Sequence, residues 1–477
     1  MTTMPVTTPR LLELTSVTKQ PIRFSFNDTF FTIRDPSKNA PTVHVPLTHV
    51  VWVGITGSIV DAHVLVTTRA GRDLVKISGS FQGDDTEANA TATAWVQAVM
   101  SAAYPDLKIQ RRLFVVINPH GGPGKAASLF KRKVEPILKA ARCTYKVVST
   151  EYHGHASKVA SEIALDDFDA VVTVSGDGTL HELINGFSKH KHPMKAFRMP
   201  IAPIPAGSGN ATSLNLLGTK DGLDVASATL NAVKGRPMAI DLLSILQSGK
   251  RTFSFLSQCV GLMADLDLGT EHLRWMGSNR FVYGYLRGVM SRKAYPFAIS
   301  IKTGMSQKGA MVDALQEYNN SAPHYDVPRV EEESTTDLPP LKYVDEHDGW
   351  TSLDGPILFM YAGKGPLVSP ELMQFPVAVP NDGMVDLVIQ GRLSRSEMLK
   401  GFDGAEKGSI YWQDKAQYFK ASAYRLKPLL KDGNLSIDGE RFPFEEYYAE
   451  VHRGLATVLS MRGRYSVDFT LKPPGTT

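Results

Sequence analysis

The chain has 477 residues, of which 43% are hydrophobic and 21% are charged, and its formal net charge is +4. This length fits roughly two or three domains, and the composition is that of a soluble globular protein. No apolar run reaches the ~18 residues of a transmembrane helix, and the N-terminus lacks the pattern of a secretory signal. With only Cys143 and Cys259, a disulfide framework or a cysteine-based zinc site is excluded, which favours the cytoplasm.

The first hundred or so residues predict a small antiparallel domain, which we place at 1–108. Strands are expected at 22–26, 29–33, 49–53 and 62–67. Asn27-Asp28 is a hairpin signal between the first two, and 91–103 has a helical pattern that offers Trp95 for packing. Several strands closed by one helix with a tryptophan resemble a pleckstrin-homology-like domain. The alternative is another small antiparallel domain.

From residue 113 the pattern changes to alternating strands and helices. Strands are expected at 113–117, 145–149 and 169–174, and helices at 124–142 and 153–165. The strand 113–117 is continuously apolar, as expected when both faces of a sheet are covered. We therefore predict an α/β domain at 109–236 with a doubly wound parallel sheet. In such sheets ligands bind beyond the carboxyl ends of the strands.

After Asp241 the pattern becomes mainly strand-like. Strands are expected at 252–258, 297–302, 356–362, 384–390 and 435–438. One helical pattern, 277–292, interrupts them. We predict a mostly antiparallel β domain at 237–477 that holds a second substrate, with its last strands free to return to the α/β domain.

An acidic stretch lies inside this last domain. Between Asp313 and Asp354 there are eleven Asp and Glu residues against Arg329 and Lys342, a local charge of −9 that leaves +13 on the rest of the chain. Little apolar periodicity accompanies its prolines, so about 305–354 is expected to be a mobile insertion. The basic remainder favours anionic partners such as nucleotide phosphates or an acidic membrane face.

Three glycine-rich turns follow the strands of the predicted α/β domain. They are 118–126 (NPHGGPGKA), 175–178 (SGDG) and 205–211 (PAGSGNA). Glycines let backbone N–H groups approach a phosphate closely, so three such turns together indicate a nucleotide site. The first departs from the Walker pattern because Ala126 follows Lys125, and alone it also fits a tight turn without a ligand.

A carboxylate between two glycines would be repelled by nearby phosphates, so its presence there indicates a chemical role. For Asp177 that role would be magnesium binding or proton abstraction, and the alternative is a cap on the following helix. Glu182, in the same helix, either faces the nucleotide or is solvated. In the third turn Ser208 and backbone amides would bind phosphate oxygens, and Asn210 would bind phosphate or metal or cap the helix.

Together these turns resemble the conserved blocks of the diacylglycerol-kinase catalytic superfamily. The SGDG and PAGSGNA turns are most similar to its sphingosine kinase (long-chain-base kinase) branch. The resemblance spans about 112–460 without the acidic stretch. It continues in order through 255–267 (FLSQCVGLMADLD), Arg274, Gly277, Arg280-Phe281, 381–386 (NDGMVD) and 438–440 (DGE).

The resemblance implies roles for the matching residues, with ATP and Mg²⁺ as cofactors and no metal ligand assigned. Asp177 would be the general base toward the primary hydroxyl of a sphingoid base, which Ser175 and Gly176 would position. Asp267, with Asp265 beside it, would bind the lipid's amino group. ATP would be bound by Asn118, Pro119, His120, Gly121, Gly122, Gly124, Thr150, Glu182, Gly207, Ser208, Gly209, Arg274, Arg280, Asp438 and Glu440.

The residue types suit this chemistry, because phosphoryl transfer needs positioning and charge neutralisation. A sphingoid base carries a cationic amine on an alkyl tail, and Asp267 stands among apolar residues. The alternative for Asp265 and Asp267 is a solvated strand end, and for the two arginines it is surface charge. His120 occupies a position that is often basic in the family, which leaves its contact open.

The expected function is an ATP- and magnesium-dependent kinase that forms the 1-phosphate of sphingosine, dihydrosphingosine or phytosphingosine. The alternatives are a ceramide or other lipid kinase of this fold, and a catalytically dead membrane-binding scaffold. Ceramide has an uncharged amide that does not need Asp267. We expect a cytoplasmic protein that associates peripherally with acidic membranes through 277–292, where core packing is the alternative. No nucleic-acid partner is expected, and a homodimer is left open.

Overall fold

A computed structural model describes residues 10–16, 18–36, 38, 41–81, 86–270, 273, 279–291, 293–325, 337–346, 348–400, 403–467 and 469, without the side chains of residues 86, 279–282, 291 and 400. The chain divides into two compact units. The first comprises 1–112, 129–145 and 224–234, and the second comprises 113–128, 146–223 and 235–477. The expected domain boundaries near residues 108 and 236 stay predictions.

The described N-terminal residues form one antiparallel sheet and a helix. The elements are β1 (Leu11–Ser16), β2 (Pro21–Phe26), β3 (Phe30–Arg34), β4 (Val43–Pro46), β5 (Val50–Thr56), β6 (Ile59–Thr68), β7 (Gly71–Ser80) and α1 (Thr86–Ala103). The strand order is β4-β3-β2-β1-β7-β6-β5. The Asn27 side chain accepts hydrogen bonds from the backbone N–H groups of Thr29 and Phe30 at 2.9 and 2.7 Å, which fixes the predicted hairpin.

The core of this sheet lies on one face, beneath α1. Alternate residues of β1 and β2 are buried, as a half-buried strand requires. Trp95 of α1 is fully buried and contacts the rings of Phe24, Phe26 and Phe31. The predicted packing role of Trp95 is confirmed.

The following segment alternates strands and helices. Its elements are β8 (Arg112–Ile117), α2 (Ala126–Leu129), α3 (Glu135–Ala140), β9 (Thr144–Ser149), α4 (His155–Glu162), β10 (Ala170–Ser175), α5 (Asp177–Phe187), α6 (Pro193–Phe197), β11 (Ile201–Pro205), α7 (Ala211–Leu217) and α8 (Val225–Lys234). A π-helical turn, Phe130–Val134, joins α2 to α3, and 3-10 turns occupy Leu47–His49, Leu165–Asp167, Ala405–Lys407 and Ser409–Trp412. The strand β10 pairs in parallel with β8 and β11, so the carboxyl ends of these three strands meet at one edge.

The C-terminal half is mainly antiparallel. Its elements are β12 (Arg236–Gln247), β13 (Lys250–Ser254), β14 (Ser257–Gly261), α9 (Leu262–Gly269), α10 (Asn279–Ser291), β15 (Tyr295–Met305), α11 (Lys308–Asn320), β16 (Thr351–Ile357), β17 (Phe359–Gly363), β18 (Leu367–Ser369), β19 (Leu372–Met373), β20 (Val385–Gln390), α12 (Arg395–Lys400), β21 (Ala416–Pro428), β22 (Leu435–Ile437), β23 (Glu440–Phe442) and β24 (Tyr447–Ser460). The long strand β24 pairs in parallel with β11 and antiparallel with β12 and β21. One mixed sheet therefore runs from the parallel strands into the antiparallel ones.

The prediction of a mobile insertion over the whole of 305–354 is wrong for its two ends. The helix α11 buries Met311, Val312 and Leu315 in a hydrophobic core, and β16 pairs with β15. Only Met311, Val312 and Leu315 of α11 are buried, and they lie between lysine, aspartate, glutamine, glutamate and asparagine residues, so this stretch has little apolar periodicity. Residues 326–336 and 347 of this stretch lie outside the described residues.

The prediction of a single helix in the C-terminal half is also wrong. The segment Leu262–Gly269 is the helix α9, and it carries Asp265 and Asp267. The run Asp265-Leu266-Asp267-Leu268 alternates polar and apolar residues, which is the pattern of a strand. The sequence pattern therefore does not predict the helix that forms there.

Within the described part of the chain, no helix combines the length and the apolar character needed to cross a bilayer.

Candidate active site

The three glycine turns follow β8, β10 and β11 and pack backbone against backbone. A Cβ on Gly207 would lie 2.3 Å from Cα of Gly176, and a Cβ on Gly176 would lie 2.7 Å from the carbonyl oxygen of Gly209. A Cβ on Gly122, whose φ is +55°, would lie 2.7 Å from the carbonyl carbon of Gly207. Backbone atoms cannot swing aside as side chains can, so these positions require glycine. The turns form a rigid rim of peptide groups.

Asp177 is the first residue of α5, but its carboxylate caps α7. The backbone N–H groups of Ala211 and Thr212 donate to it at 2.6 and 3.1 Å, and Thr212 Oγ1 donates at 2.7 Å. Its side chain is buried, and burial raises the pKa of Asp177 although these hydrogen bonds oppose the rise. The carboxylate therefore fixes the third glycine turn and also borders the cavity described below.

Asp438 is a buried carboxylate held by hydrogen bonds from the β13–β14 connection. Ser254 Oγ donates to it at 2.6 Å, and the backbone N–H groups of residues 255–257 donate at 2.9–3.2 Å. His181 Nδ1 donates to Asp438 Oδ2 at 2.8 Å. Burial lowers the pKa of His181, but Asp438, together with Glu440 and Glu182, outweighs burial and holds the pKa above its ordinary value. This pair anchors the loop that presents Glu440.

Sequence reasoning did not single out His181. Its only local signal is position, because it lies one helical turn after Asp177 on the same helix. Its partner Asp438 is 257 residues away along the chain.

Two other acidic residues stand at the rim. Glu440 begins β23, and its Oε1 would lie 2.9 Å from a Cβ on Gly178, so the absence of a side chain there lets Glu440 approach α5. Glu182 accepts hydrogen bonds from the backbone N–H groups of Gly154 and Ala156 at 2.9 and 3.1 Å. It therefore caps α4. It also lines the cavity described below, and its expected contact with ATP stays a prediction.

The first turn is braced by Asn118. Its Oδ1 accepts from the His120 backbone N–H at 3.1 Å, and its Nδ2 donates to Thr179 Oγ1 at 3.3 Å. Thr150 is buried at the end of β9, where its backbone N–H donates to the Ile117 carbonyl at 2.8 Å. The contacts of Asn118 hold the first turn against α5.

One cavity of about 940 Å³ joins this polar rim to an apolar slot. The polar end is lined by Asn118, His120, Gly121, Gly122, Thr150, Gly176, Asp177, Gly178, Thr179, Glu182, Gly207, Ser208, Gly209, Asn210, Asp438, Gly439 and Glu440. The apolar end is lined mainly by Met263, Leu266, Leu358, Phe359, Val368, Leu372, Leu393 and Ile410. A single space therefore offers both peptide N–H groups and a hydrocarbon surface.

Asp265 and Asp267 differ although both lie on α9. Asp267 lines the cavity, and its Oδ2 accepts from Ser436 Oγ at 2.6 Å. Asp265 does not line it. Asp265 accepts hydrogen bonds from Tyr295 OH and from Asn434 Nδ2, the latter at 2.8 Å, so it ties α9 to neighbouring strands.

Most of the other residues expected at the site line this cavity. The exceptions among described residues are Pro119, Gly124 and Ser175, whose hydroxyl donates to the Gly176 carbonyl at 3.0 Å. Arg274 lies outside the described residues, and the side chain of Arg280 is not described. The cavity also includes Tyr361, which sequence reasoning missed because a strand tyrosine carries no distinct signal.

In the described residues, no three His, Cys, Asp or Glu side chains form a metal-binding group. Mg²⁺ commonly takes one or two protein carboxylates and completes its shell with phosphate oxygens and water. The carboxylate of Glu440 at the polar end suits such an ion.

The predicted block 381–386 forms a buried ion network instead of lining the cavity. Asp382 accepts from Lys364 and from Lys420, both at 2.8 Å. Lys364 also pairs with Asp241 at 2.8 Å, and Lys420 with Asp386 at 3.1 Å. Burial would raise the pKa of Asp382, but the two ammonium groups outweigh burial and hold the pKa well below its usual range. These charges join β12, β20 and β21.

The chain is similar in sequence to known lipid kinases. The diacylglycerol kinase catalytic domain matches residues 112–245. Sphingoid long chain base kinase 4 of Schizosaccharomyces pombe is 30% identical over 427 residues, which cover 88% of each chain. Sphingoid long chain base kinase 5 of Saccharomyces cerevisiae is 32% identical, with 78% of this chain and 63% of that protein covered.

A solved structure is similar in fold. A Bacillus anthracis protein provisionally named a diacylglycerol kinase superposes with a TM-score of 0.51 at 16% identity, covering 74% of this chain and 97% of that one. The common fold is mixed α/β, with parallel strands continued by antiparallel ones.

Proposed function

Because this chain belongs to the family of sphingoid long-chain-base kinases, lipid kinases with a diacylglycerol kinase catalytic domain, we propose that it phosphorylates sphingoid bases. ATP would supply the phosphoryl group, and the product would be the 1-phosphate of sphingosine, dihydrosphingosine or phytosphingosine. The observation that carries the proposal is the single cavity of about 940 Å³ with a rim of glycine peptides at one end and an apolar slot at the other. Asp267 lies on its wall.

At the polar end, the nucleotide phosphates would lie against the three glycine turns. Peptide N–H groups suit phosphate oxygens, and phosphoryl transfer depends mainly on positioning and charge stabilisation. Mg²⁺ would neutralise phosphate charge there, with Glu440 as its candidate ligand. Arg274 and Arg280 would add positive charge, as the family resemblance implies.

Asp177 would accept the proton of the lipid hydroxyl. As the new bond forms between that oxygen and the γ-phosphorus, the bond to the β–γ bridging oxygen breaks, and its electron pair leaves with ADP. Burial raises the pKa of Asp177, which makes it a stronger base than an exposed aspartate. Its bonds to α7 hold the carboxylate in one place, so the reacting oxygen would meet a fixed acceptor.

At the apolar end, the alkyl chain would fill the slot beside α9 and the charged amine would face Asp267. Ser436 donates to one oxygen of this carboxylate and thereby orients it. We assign the amine to Asp267 alone, because Asp267 lines the cavity, whereas Asp265 does not line it and ties α9 to Tyr295 and Asn434. An uncharged ceramide amide would gain little from this carboxylate.

The helix α10 supports a peripheral association with acidic membranes. Gly284 and Gly288 let it pack closely on α9, since a Cβ on either would lie within 3 Å of Leu266 or Leu262. Its opposite side exposes Tyr283, Leu286 and Met290, the last at 75%. Exposed apolar residues at this spacing, next to Arg287, suit a helix that rests in a membrane interface.

Two finer features of the fold belong to the same proposal. A pleckstrin-homology-like N-terminal domain is supported by an antiparallel sheet whose face is covered by α1 and Trp95. A doubly wound nucleotide-binding domain is supported by the parallel pairing of β10 with β8 and β11 through intervening helices.

The test is transfer of radiolabelled phosphate from ATP with Mg²⁺ to sphingosine, dihydrosphingosine, ceramide and diacylglycerol. We expect transfer only to the free bases. Asp267→Asn should raise KM for sphingosine at least tenfold, as expected when a charge-assisted contact of about 1.5–3 kcal/mol is lost, with KM for ATP unchanged. Asp265→Asn is the matched control and should leave KM for sphingosine near its original value. Transfer to ceramide at a similar rate would reject the assignment of Asp267.

A further inference from the structure

The loop that follows β9 brings an exposed tyrosine to the polar end of the large cavity. Tyr152 lines this cavity together with Thr150, and 55% of the tyrosine is exposed. The strand β9 is a neighbour of β8 in the sheet, and the backbone N–H of Thr150 donates to the carbonyl oxygen of Ile117, the last residue of β8, at 2.8 Å. Tyr152 therefore lies beyond the carboxyl ends of these strands, on the same side as the first glycine turn.

A second ring supports the ring of Tyr152. His155 lies parallel to it, with the ring centres 4.7 Å apart and the ring planes within 4° of each other. This offset stack covers one face of the tyrosine. His155 is not among the residues that line the cavity, so it stands behind Tyr152 as seen from there. The surface of Tyr152 that remains open therefore borders the cavity.

Hydrogen bonds fix the loop that carries the tyrosine. Glu182 accepts from two backbone N–H groups at the start of α4 at 2.9 and 3.1 Å. The backbone N–H of His155 donates to the carbonyl oxygen of Tyr152 at 3.2 Å, and His155 Nδ1 accepts from the backbone N–H of Glu151 at 3.1 Å. Because these bonds order the loop before a ligand arrives, binding there costs little conformational entropy.

An aromatic ring that is supported on one face and open on its other side suits a flat ligand. On the basis of the proposed function, in which a nucleotide binds at the polar end, we propose that Tyr152 stacks against the base of that nucleotide. The peptide N–H groups of the glycine turns suit phosphate oxygens, whereas an aromatic side chain suits the π-face that every nucleobase has. Tyr152 therefore adds a subsite for the base to the rim that would hold the phosphates.

Two probes separate contacts with the base from contacts with the phosphates. ADP and inorganic tripolyphosphate, which has no base, are each titrated with Mg²⁺ into the full-length protein by calorimetry, without lipid. The titrations are repeated with Tyr152→Phe, Tyr152→Leu, Tyr152→Ala and His155→Ala. The matched control is Leu429→Ala, because Leu429 is 53% exposed and lies outside the cavity lining. Thermal unfolding of each variant checks that it is folded.

We expect Tyr152→Ala to raise the Kd of ADP about tenfold or more, because the stacking surface is lost. Tyr152→Phe keeps the ring and should bind ADP as the wild-type protein does, whereas Tyr152→Leu keeps only apolar bulk and should bind it weakly. His155→Ala removes the support behind the ring and should weaken ADP binding less than Tyr152→Ala. The Kd of tripolyphosphate should not change in any of these variants, and Leu429→Ala should bind ADP normally.

Three results would overturn the role of Tyr152 and leave the nucleotide site in place. They are unchanged ADP binding in Tyr152→Ala, ADP binding by Tyr152→Leu as tight as by Tyr152→Phe, and an equal loss of affinity for ADP and tripolyphosphate. The last result would mean that the tyrosine only shapes the loop. Failure of the wild-type protein to bind ADP would instead reject the nucleotide site, and the proposed function with it.

Discussion

The chain contains three Asp-Gly pairs in its matched blocks, and the structure gives each a different environment. Asp177 borders the large cavity and caps α7. Asp382 lies in a buried network between Lys364 and Lys420. Asp438 is paired with His181 beside the cavity, and four further donors surround it.

This difference shows that the partners of a carboxylate, and not its local sequence, decide what it can do. Asp382 is neutralised by two cations and serves to join strands. Asp438 accepts five hydrogen bonds, which hold the turn that leads into Glu440, and its expected contact with ATP stays a prediction. Of the three, Asp177 combines a raised pKa with access to the cavity.

Among the three aspartates, the largest effect on turnover is expected for the substitution Asp177→Asn. If Asp177 is the base, kcat should fall by about 10²–10⁴-fold while ATP still binds, because only the proton acceptor is lost. Steady-state kinetics and equilibrium ATP binding measure the two quantities separately. Thr212→Val is the control, since it removes one donor to Asp177 and should cost only about 1 kcal/mol.

A joint loss of ATP binding and turnover in Asp177→Asn would give a different role. The carboxylate would then act by capping α7 and not as the base. Asp177 would in that case have a structural role.

For the buried network, Lys364→Met should lower the free energy of unfolding by about 3–5 kcal/mol, because it leaves buried carboxylates without their cation. Urea denaturation measures this loss. Activity per folded molecule should stay unchanged. The double variant Lys364→Met/Asp241→Asn restores charge balance and should recover part of the stability. Normal stability with impaired turnover would instead place Asp382 in the active site.

The pair of His181 and Asp438 should give stability a pH dependence that the lysine network lacks. The pKa of His181 is raised in the folded protein, so the pair contributes fully to the free energy of unfolding at pH values below the pKa of the unfolded chain, about 6.5. Its contribution is lost as pH rises through the folded pKa, with a slope of at most about 1.4 kcal/mol per pH unit.

Urea denaturation between pH 6 and 9 tests this slope. In His181→Gln, where the side chain can donate to Asp438 without titrating, the decline should disappear. Parallel curves for the wild-type protein and His181→Gln would show that His181 does not titrate in this range.

The smallest effects are expected from alanine substitutions of the glycines in two of the Asp-Gly pairs, and the two substitutions should differ in what they change. Gly383 has a φ of +79°, so Gly383→Ala should cost about 1–2 kcal/mol of stability and leave KM for ATP unchanged. A Cβ at residue 178 would instead meet the movable end of Glu440 at 2.9 Å. Gly178→Ala should therefore raise KM for ATP with little loss of stability. A raised KM for ATP in Gly383→Ala, with a loss of stability in Gly178→Ala, would contradict these assignments.

Local patterns predicted the features that depend on neighbouring residues. The Asn27 hairpin, the packing of Trp95 and the strands that lead into the glycine turns all follow from short-range rules. The same rules failed at α9, because Asp265 to Leu268 has strand-like alternation. They also failed at α11, whose buried Met311 and Leu315 are few among polar residues.

The sequence by itself determined the glycine turns, the order of the matched blocks and hence the family, because these are properties of contiguous residues. Only the tertiary structure decided which carboxylates face the cavity and which are neutralised. Asp438 meets His181 across 257 residues, and Asp382 meets Lys420 across 38. The pKa and accessibility of a carboxylate depend on charges and donors that come within a few ångströms, and such distant partners are brought together only by the folded sheet.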